Sequence, residues 1–218
     1  EAAAKLDGRH VDVLGAGRTD SGVHATGQVA HMDLQIDRGR KVADAMNFHL
    51  RPHPISVLKA EKVSEEFHAR FSATQRHYRY DIVNRRADLT LDRGLAWRVP
   101  SKLDAEKMHE AAQALVGTHD FSTFRDSDCQ ALTPVKTLNE IKVWREGERV
   151  FVTCRAQSFI HRQVRSMVGS LVDVGRGKQP VGWIADILAA ADRTQCGPIA
   201  PADGLYLTQV DYGDAGVS

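Results

Sequence analysis

The chain has 218 residues, with 29 Lys and Arg against 28 Asp and Glu for a formal net charge of +1, and is long enough for one large domain or two small ones. That balance excludes a generally basic nucleic-acid binder and a charged tail, and Cys129, Cys154 and Cys196 are too few and too scattered for a disulfide framework, a CxxC redox pair or a cysteine-rich zinc site. No apolar run approaches a membrane span and no basic-then-apolar leader precedes the first loop, so a soluble, cytoplasmic protein is expected.

Glu1 to Leu6 reads as the closing turns of a helix; there is no initiator Met, and an absent N-terminal segment is expected. The loop Gly15-Ala16-Gly17-Arg18-Thr19-Asp20-Ser21-Gly22-Val23-His24-Ala25 follows. Its glycines and Gly27 permit tight turns and close approach of a bulky ligand, while Arg18 places a fixed positive charge two residues from Asp20. A dinucleotide loop would need a third glycine where Asp20 stands, and a Walker loop needs Gly-Lys-Ser/Thr. Taken alone, a surface turn carrying an acid is the simpler reading.

Period-two alternation predicts strands over Val29 to Leu34, Val57 to Val63, His77 to Val83, Asn139 to Trp144, Arg149 to Ala156 and Leu205 to Val210. Helices are predicted over Val42 to Leu50, Leu103 to Val116, Ile160 to Val174 and Val181 to Ala191. The second of these takes Ser101 as N-cap and Asp104 in the capping-box position. The polar loop Arg145-Glu146-Gly147-Glu148 joins two strands as an antiparallel hairpin. The expected fold class is α+β, with helices on one face of mainly antiparallel sheet and the opposite face open to a ligand.

Two segments stand out against the neutral background. Arg70, Arg76, Arg79, Arg85 and Arg86 face Asp81 alone, and Arg155, Arg162, Arg165, Arg176 and Lys178 face Asp173 alone. Clustered arginines suit phosphate forks and base stacking, although a GC-rich genome produces the same bias. The ten histidines show no metal spacing: His24 and His31 are seven apart, Pro52 interrupts His49 and His53, and no HExxH occurs. No metal is expected.

Three motifs occur in one order: the Asp20 loop, then Phe67-His68-Ala69-Arg70-Phe71-Ser72-Ala73 leading into Arg76-His77-Tyr78-Arg79-Tyr80, then Ser158-Phe159-Ile160 leading into Gln163-Val164-Arg165-Ser166-Met167-Val168-Gly169. With Gly197-Pro198 and Gly204-Leu205-Tyr206-Leu207, they make the chain resemble the TruA family of tRNA pseudouridine synthases over nearly its whole length. The resemblance implies two ferredoxin-like or RRM-like α/β halves, divided here as residues 1–66 and 67–218, with a central active-site cleft. It further implies a homodimer that binds tRNA, needs no cofactor and isomerises an extruded uridine of the anticodon stem-loop, around tRNA positions 38 to 40. The family's opening strand with a Tyr-Asp-Gly motif is not found in this chain.

By the same resemblance Asp20 is the catalytic carboxylate, reacting at C1′, at C6 or by taking a sugar proton. Arg165 pairs with it and, as an opposite charge in contact, favours its ionised form, so that Asp20 acts as nucleophile or base and not as general acid. Tyr78 is the active-site tyrosine, whereas Tyr80, on the same strand face, is read as core. Arg18, Arg70, Arg76, Arg79 and Arg162 are the substrate-binding candidates, with Thr19, His24 and Gln28 bracing the loop. Two alternatives are a catalytically inactive tRNA-binding or chaperone protein and a metal-dependent phosphoesterase built on Asp20 and histidines.

Overall fold

The computed structural model describes residues 1–36, 39 and 41–213. The elements run α1 (Ala2–Asp7), β1 (Leu14–Gly15), β2 (His24–Ala25), β3 (Ala30–His31), α2 (Lys41–Leu50), β4 (Ala73–Val83), β5 (Trp97–Arg98), α3 (Ala105–Ala112), β6 (Gly117–Asp120), β7 (Val135–Glu146), β8 (Arg149–Ala156), α4 (Gln163–Gly175), α5 (Trp183–Ala190) and β9 (Leu205–Tyr212). Among these residues no helix is long and apolar enough to cross a membrane. The chain divides into two units: Glu1–Arg18, Gln28–Thr74 and the residues from Asp211 form the first, and Thr19–Gly27 with Gln75–Val210 the second.

In the first unit α1 packs on α2 around Ala3, Leu6, Val11 and Met46, with Met32, Leu34 and Val57 against them. β1 pairs antiparallel with β3, Leu14 opposite His31. The strand predicted over Val29 to Leu34 shrinks to two residues, and none forms over Val57 to Val63. There the Asn47 amide takes both backbone groups of Val57, donating to its carbonyl at 2.9 Å and accepting from its N–H at 2.7 Å. Leu58 and Val63 are exposed, so their alternation reflects no buried face.

The second unit is a mixed sheet in the order β2-β9-β4-β8-β7-β6, with β5 on β4. The β4/β8, β8/β7 and β7/β6 pairs are antiparallel, whereas β2/β9 and β4/β5 are parallel. The fold is therefore α+β with largely antiparallel sheet, as the element pattern predicts. β8 alternates cleanly: Val150, Val152, Cys154 and Ala156 are buried in one core with residues of α3, α4 and α5. The hairpin forms as expected, with Glu146 paired to Arg149 so that only Gly147 and Glu148 turn.

Two helix starts differ from the prediction. α3 is capped by Asp104, which accepts from the Lys107 N–H at 3.1 Å, and not by Ser101. Asn84 holds the preceding segment extended, donating to the carbonyls of Val99 and Ser101 and accepting from the Leu103 N–H. α4 begins at Gln163, not Ile160, because Arg162 takes a left-handed conformation at φ 58°.

Candidate active site

Asp20 sits on the nine-residue stretch of the second unit that precedes Gln28. β2 fixes this stretch by parallel pairing to β9, His24 opposite Tyr206 and Ala25 opposite Leu207. The N–H groups of Thr26 and Gly27 both donate to the Leu207 carbonyl, at 2.9 and 3.2 Å. Gly27 lies so close to β9 that any Cβ there would collide with the Thr208 carbonyl oxygen, which makes glycine a packing requirement at this position. The His24 ring stacks on Tyr206 with centroids 4.8 Å apart, and its Nε2 bonds the Gly94 carbonyl at 2.8 Å. The Asp20 loop thus runs into a two-residue edge strand held by backbone, ring and side chain.

The carboxylate of Asp20 is gripped on both oxygens. Arg165 of α4 donates through Nη1 to Oδ2 at 2.7 Å, and His161 Nε2 lies 3.1 Å from Oδ1. Arg162 Nε stands further off, 3.8 Å from Oδ2. The Arg165 side chain is 14% exposed and that of Asp20 23%, so the pair is shielded while one side of the acid stays open to a reactant. Arg165 also donates through Nε to the Ala200 carbonyl at 2.8 Å, and its own carbonyl accepts from the Ala200 N–H at 3.1 Å. Close contact of α4 with this segment needs Gly169, where a Cβ would strike the Pro198 carbonyl oxygen.

His161 and Asp126 are site neighbours that the sequence reading missed. His161 Nδ1 stands 3.5 Å from Asp126 Oδ1, and Arg162 Nη1 donates to Asp126 Oδ2 at 2.9 Å. Burial works against the Asp126 charge, but the Asp128 N–H and the Arg162 guanidinium outweigh it and hold this carboxyl below its ordinary value. The backbone of His161 is tied as well: its N–H donates to Cys129 Sγ at 3.4 Å and its carbonyl accepts from the Asp126 N–H at 3.3 Å. His161 stands two residues before α4, across the left-handed Arg162, so no helical spacing to Arg165 announces it. Asp126 lies in an aperiodic stretch, equally without a signal.

Tyr78, on β4 opposite Cys154, packs edge-to-face on Phe159 at 5.2 Å. Burial pushes its phenol up to about 12, with Cys154 and the Asp20 charge adding and Arg76 opposing. Tyr80 is fully buried and donates to the Pro201 carbonyl at 2.7 Å, the core role expected for it.

The candidate arginines separate by partner. Arg162 and Arg165 converge on Asp20. Arg76 donates to the Gln157 carbonyl. Arg79, one residue from Tyr78 and so on the other face of β4, makes a two-point pair with Asp81 at 2.7 and 3.1 Å and lies over the rings of Phe151 and Tyr206. Arg18 and Arg70 are exposed residues of the first unit, Arg70 over the ring of Phe71.

Chemically, the cluster offers an acid with a donor on each oxygen, and a buried phenol that feels its charge. The tRNA pseudouridine synthase family model matches residues 111–213, a span that includes His161, Arg162 and Arg165. The chain is 72% identical over 211 residues to the tRNA pseudouridine synthase A of Hyphomonas neptunium, covering 97% of this chain and 85% of that protein. Identity to the tRNA pseudouridine synthase A of Maricaulis maris is 65%, with 97% and 85% covered, and to that of Afipia carboxidovorans 60%, with 97% and 87% covered.

Proposed function

The chain belongs to the tRNA pseudouridine synthase family of isomerases, and from that premise we propose that it converts uridine to pseudouridine in the anticodon stem-loop, around tRNA positions 38 to 40, with Asp20 as nucleophile. The reaction breaks the bond from uracil N1 to ribose C1′, turns the base, joins C5 to C1′, and moves the C5 proton off the ring while N1 gains one. No electrons are exchanged, so no redox cofactor is called for. The target uridine leaves its stack to reach the acid, as enzymes acting on bases require.

The observation that carries this reading is the Asp20–Arg165 contact at 2.7 Å, with a second donor on the other oxygen. An acid held by donors on both oxygens is oriented for attack by its remaining lone pairs. Tyr78, its phenol pushed up to about 12, is neutral at physiological pH and serves as hydrogen-bond donor and ring surface, not as a phenolate base. Arg18, Arg70 and Arg76 contact phosphates; Arg79 and Arg162 already hold Asp81 and Asp126, so their share is secondary. The enzyme works as a cytoplasmic homodimer.

Tritium release from tRNA carrying 5-tritiated uridine tests the reaction. Release by the parent protein, and none by Asp20→Asn with tRNA affinity kept within a few-fold, is the expected result. Full release by Asp20→Asn would remove Asp20 from the chemistry, and no release by the parent at high concentration would leave a tRNA-binding protein.

A further inference from the structure

Arg165 alone does not fix the plane of the Asp20 carboxylate. Its Nε is engaged by Ala200, and a single N–H reaches Oδ2. A one-point grip leaves the soft carboxylate torsion free to swing. The only other hydrogen bond to this carboxylate among the described residues comes from His161, whose Nε2 lies 3.1 Å from Oδ1. An ionised carboxylate only accepts, so Nε2 carries the proton in this contact.

His161 is itself placed by several groups. Asp126 faces Nδ1, and Asp126 is in turn held by Arg162 and by the Asp128 N–H. Cys129 and Asp126 fasten the peptide groups on either side of the ring. Arg162 reaches Asp126 from a left-handed backbone at φ 58°, which a non-glycine residue adopts at a cost. Such strain fits a turn shaped to bring both side chains onto their carboxylates. The charged groups around His161 are thus Asp20, Asp126, Arg162 and, through Asp20, Arg165.

We propose that His161 is a positioning residue for the reaction: its Nε2–H sets the plane in which Asp20 presents its free lone pairs, and the ties of its own peptide groups to Cys129 Sγ and the Asp126 N–H keep the ring in place. The role rests on the reading of Asp20 as the reacting carboxylate. The effect belongs to the chemical step and not to tRNA affinity, because His161 acts through Asp20.

The test exploits the two ring nitrogens. A glutamine amide nitrogen reproduces the position of Nε2, whereas an asparagine amide reaches only the position of Nδ1. Single-turnover rates and tRNA dissociation constants are measured for His161→Gln, His161→Asn and His161→Ala, with melting temperatures as a fold control. Expected are a rate within about threefold of the parent for the Gln variant and a loss of about 30-fold for Asn and Ala, the range a small misplacement of a reacting group produces. Affinity stays within about twofold throughout. Equal rates for Gln and Asn, or an Ala variant as fast as the parent, would overturn the role of His161. Asp20→Asn is run beside them: if that variant retains turnover, the assignment of Asp20 fails instead.

Discussion

Arg165 reaches Asp20 with one N–H at 2.7 Å while its Nε is bonded to the Ala200 carbonyl at 2.8 Å, so one guanidinium joins the Asp20 loop to the segment after α5. A lysine has one nitrogen on a flexible stem and does not span both acceptors in that fixed fork. Arg165→Lys is expected to lower the single-turnover rate by about 100-fold, the scale of a misplaced reacting group, with tRNA affinity nearly unchanged in filter binding. A rate within a few-fold of the parent would show that charge alone suffices.

Gly169→Ala probes the same junction from the helix side. The added methyl would collide with the Pro198 carbonyl oxygen, part of the backbone and unable to rotate away as a side chain would. Overpacking of this kind costs about 1 to 3 kcal/mol, and each kcal/mol lowers the melting temperature of a chain this size by about 2 to 4 °C. Calorimetry should show that loss together with slowed turnover, because the displaced segment carries the Ala200 carbonyl. An unchanged melting temperature would mean that the segment moves freely.

Tyr78 makes a prediction at alkaline pH. Its phenol is pushed up to about 12 in the folded protein, against an ordinary 10.0 when unfolded. Below pH 10 both states are protonated and stability is unaffected; as pH rises from 10 toward 12 the unfolded phenol ionises first and stability falls. Tyr80, raised by burial too, acts in the same direction. Denaturant midpoints of Tyr78→Phe should therefore decline less steeply than the parent's over that interval. Parallel declines would show that the Tyr78 hydroxyl is more solvated than its packing implies.

Arg79 and Arg18 should separate stability from RNA binding. The Arg79 fork is taken up by Asp81, itself buried, so Arg79→Ala leaves an acid without its partner and costs about 1 to 3 kcal/mol. Its melting temperature should fall while the salt dependence of tRNA binding holds. Arg18→Ala should do the reverse, reducing the slope of log affinity against log salt by about 0.7 to 0.9 if it neutralises one phosphate. A reduced slope for Arg79→Ala with unchanged melting would place that residue on RNA.

The two halves of the Asp20–Arg165 contact sit in short contiguous motifs visible in the sequence, the glycine-rich loop and the Gln163–Gly169 segment, and the buried place of Tyr80 was expected as well. Strand β8 and its hairpin were legible because one face is buried along the whole strand. What escaped depends on distant partners. His161 meets Asp20 from 141 residues away, and Asp126 enters through an aperiodic turn. Similarly, Asn84 displaces the start of α3 from Ser101 to Asp104, and Asn47 replaces a strand partner at Val57. Both asparagines satisfy backbone groups that local periodicity would have assigned to regular structure.

The Thr19–Gly27 stretch belongs to the second unit, although the residues on either side of it belong to the first. Its parallel pairing with β9 joins residues near the two ends of the chain, the kind of contact that sequence-distant loop closure delays. The Gln75–Val210 part of this unit carries its helices, most of its sheet, Tyr78 and Arg165, but Asp20 comes from the separate Thr19–Gly27 stretch. The approach of Asp20 to Arg165 is thus a long-range and conditional property of folding: in a chain nicked between Gly27 and Gln75, only the β2–β9 pairing and the contacts of the loop itself would keep Asp20 in place.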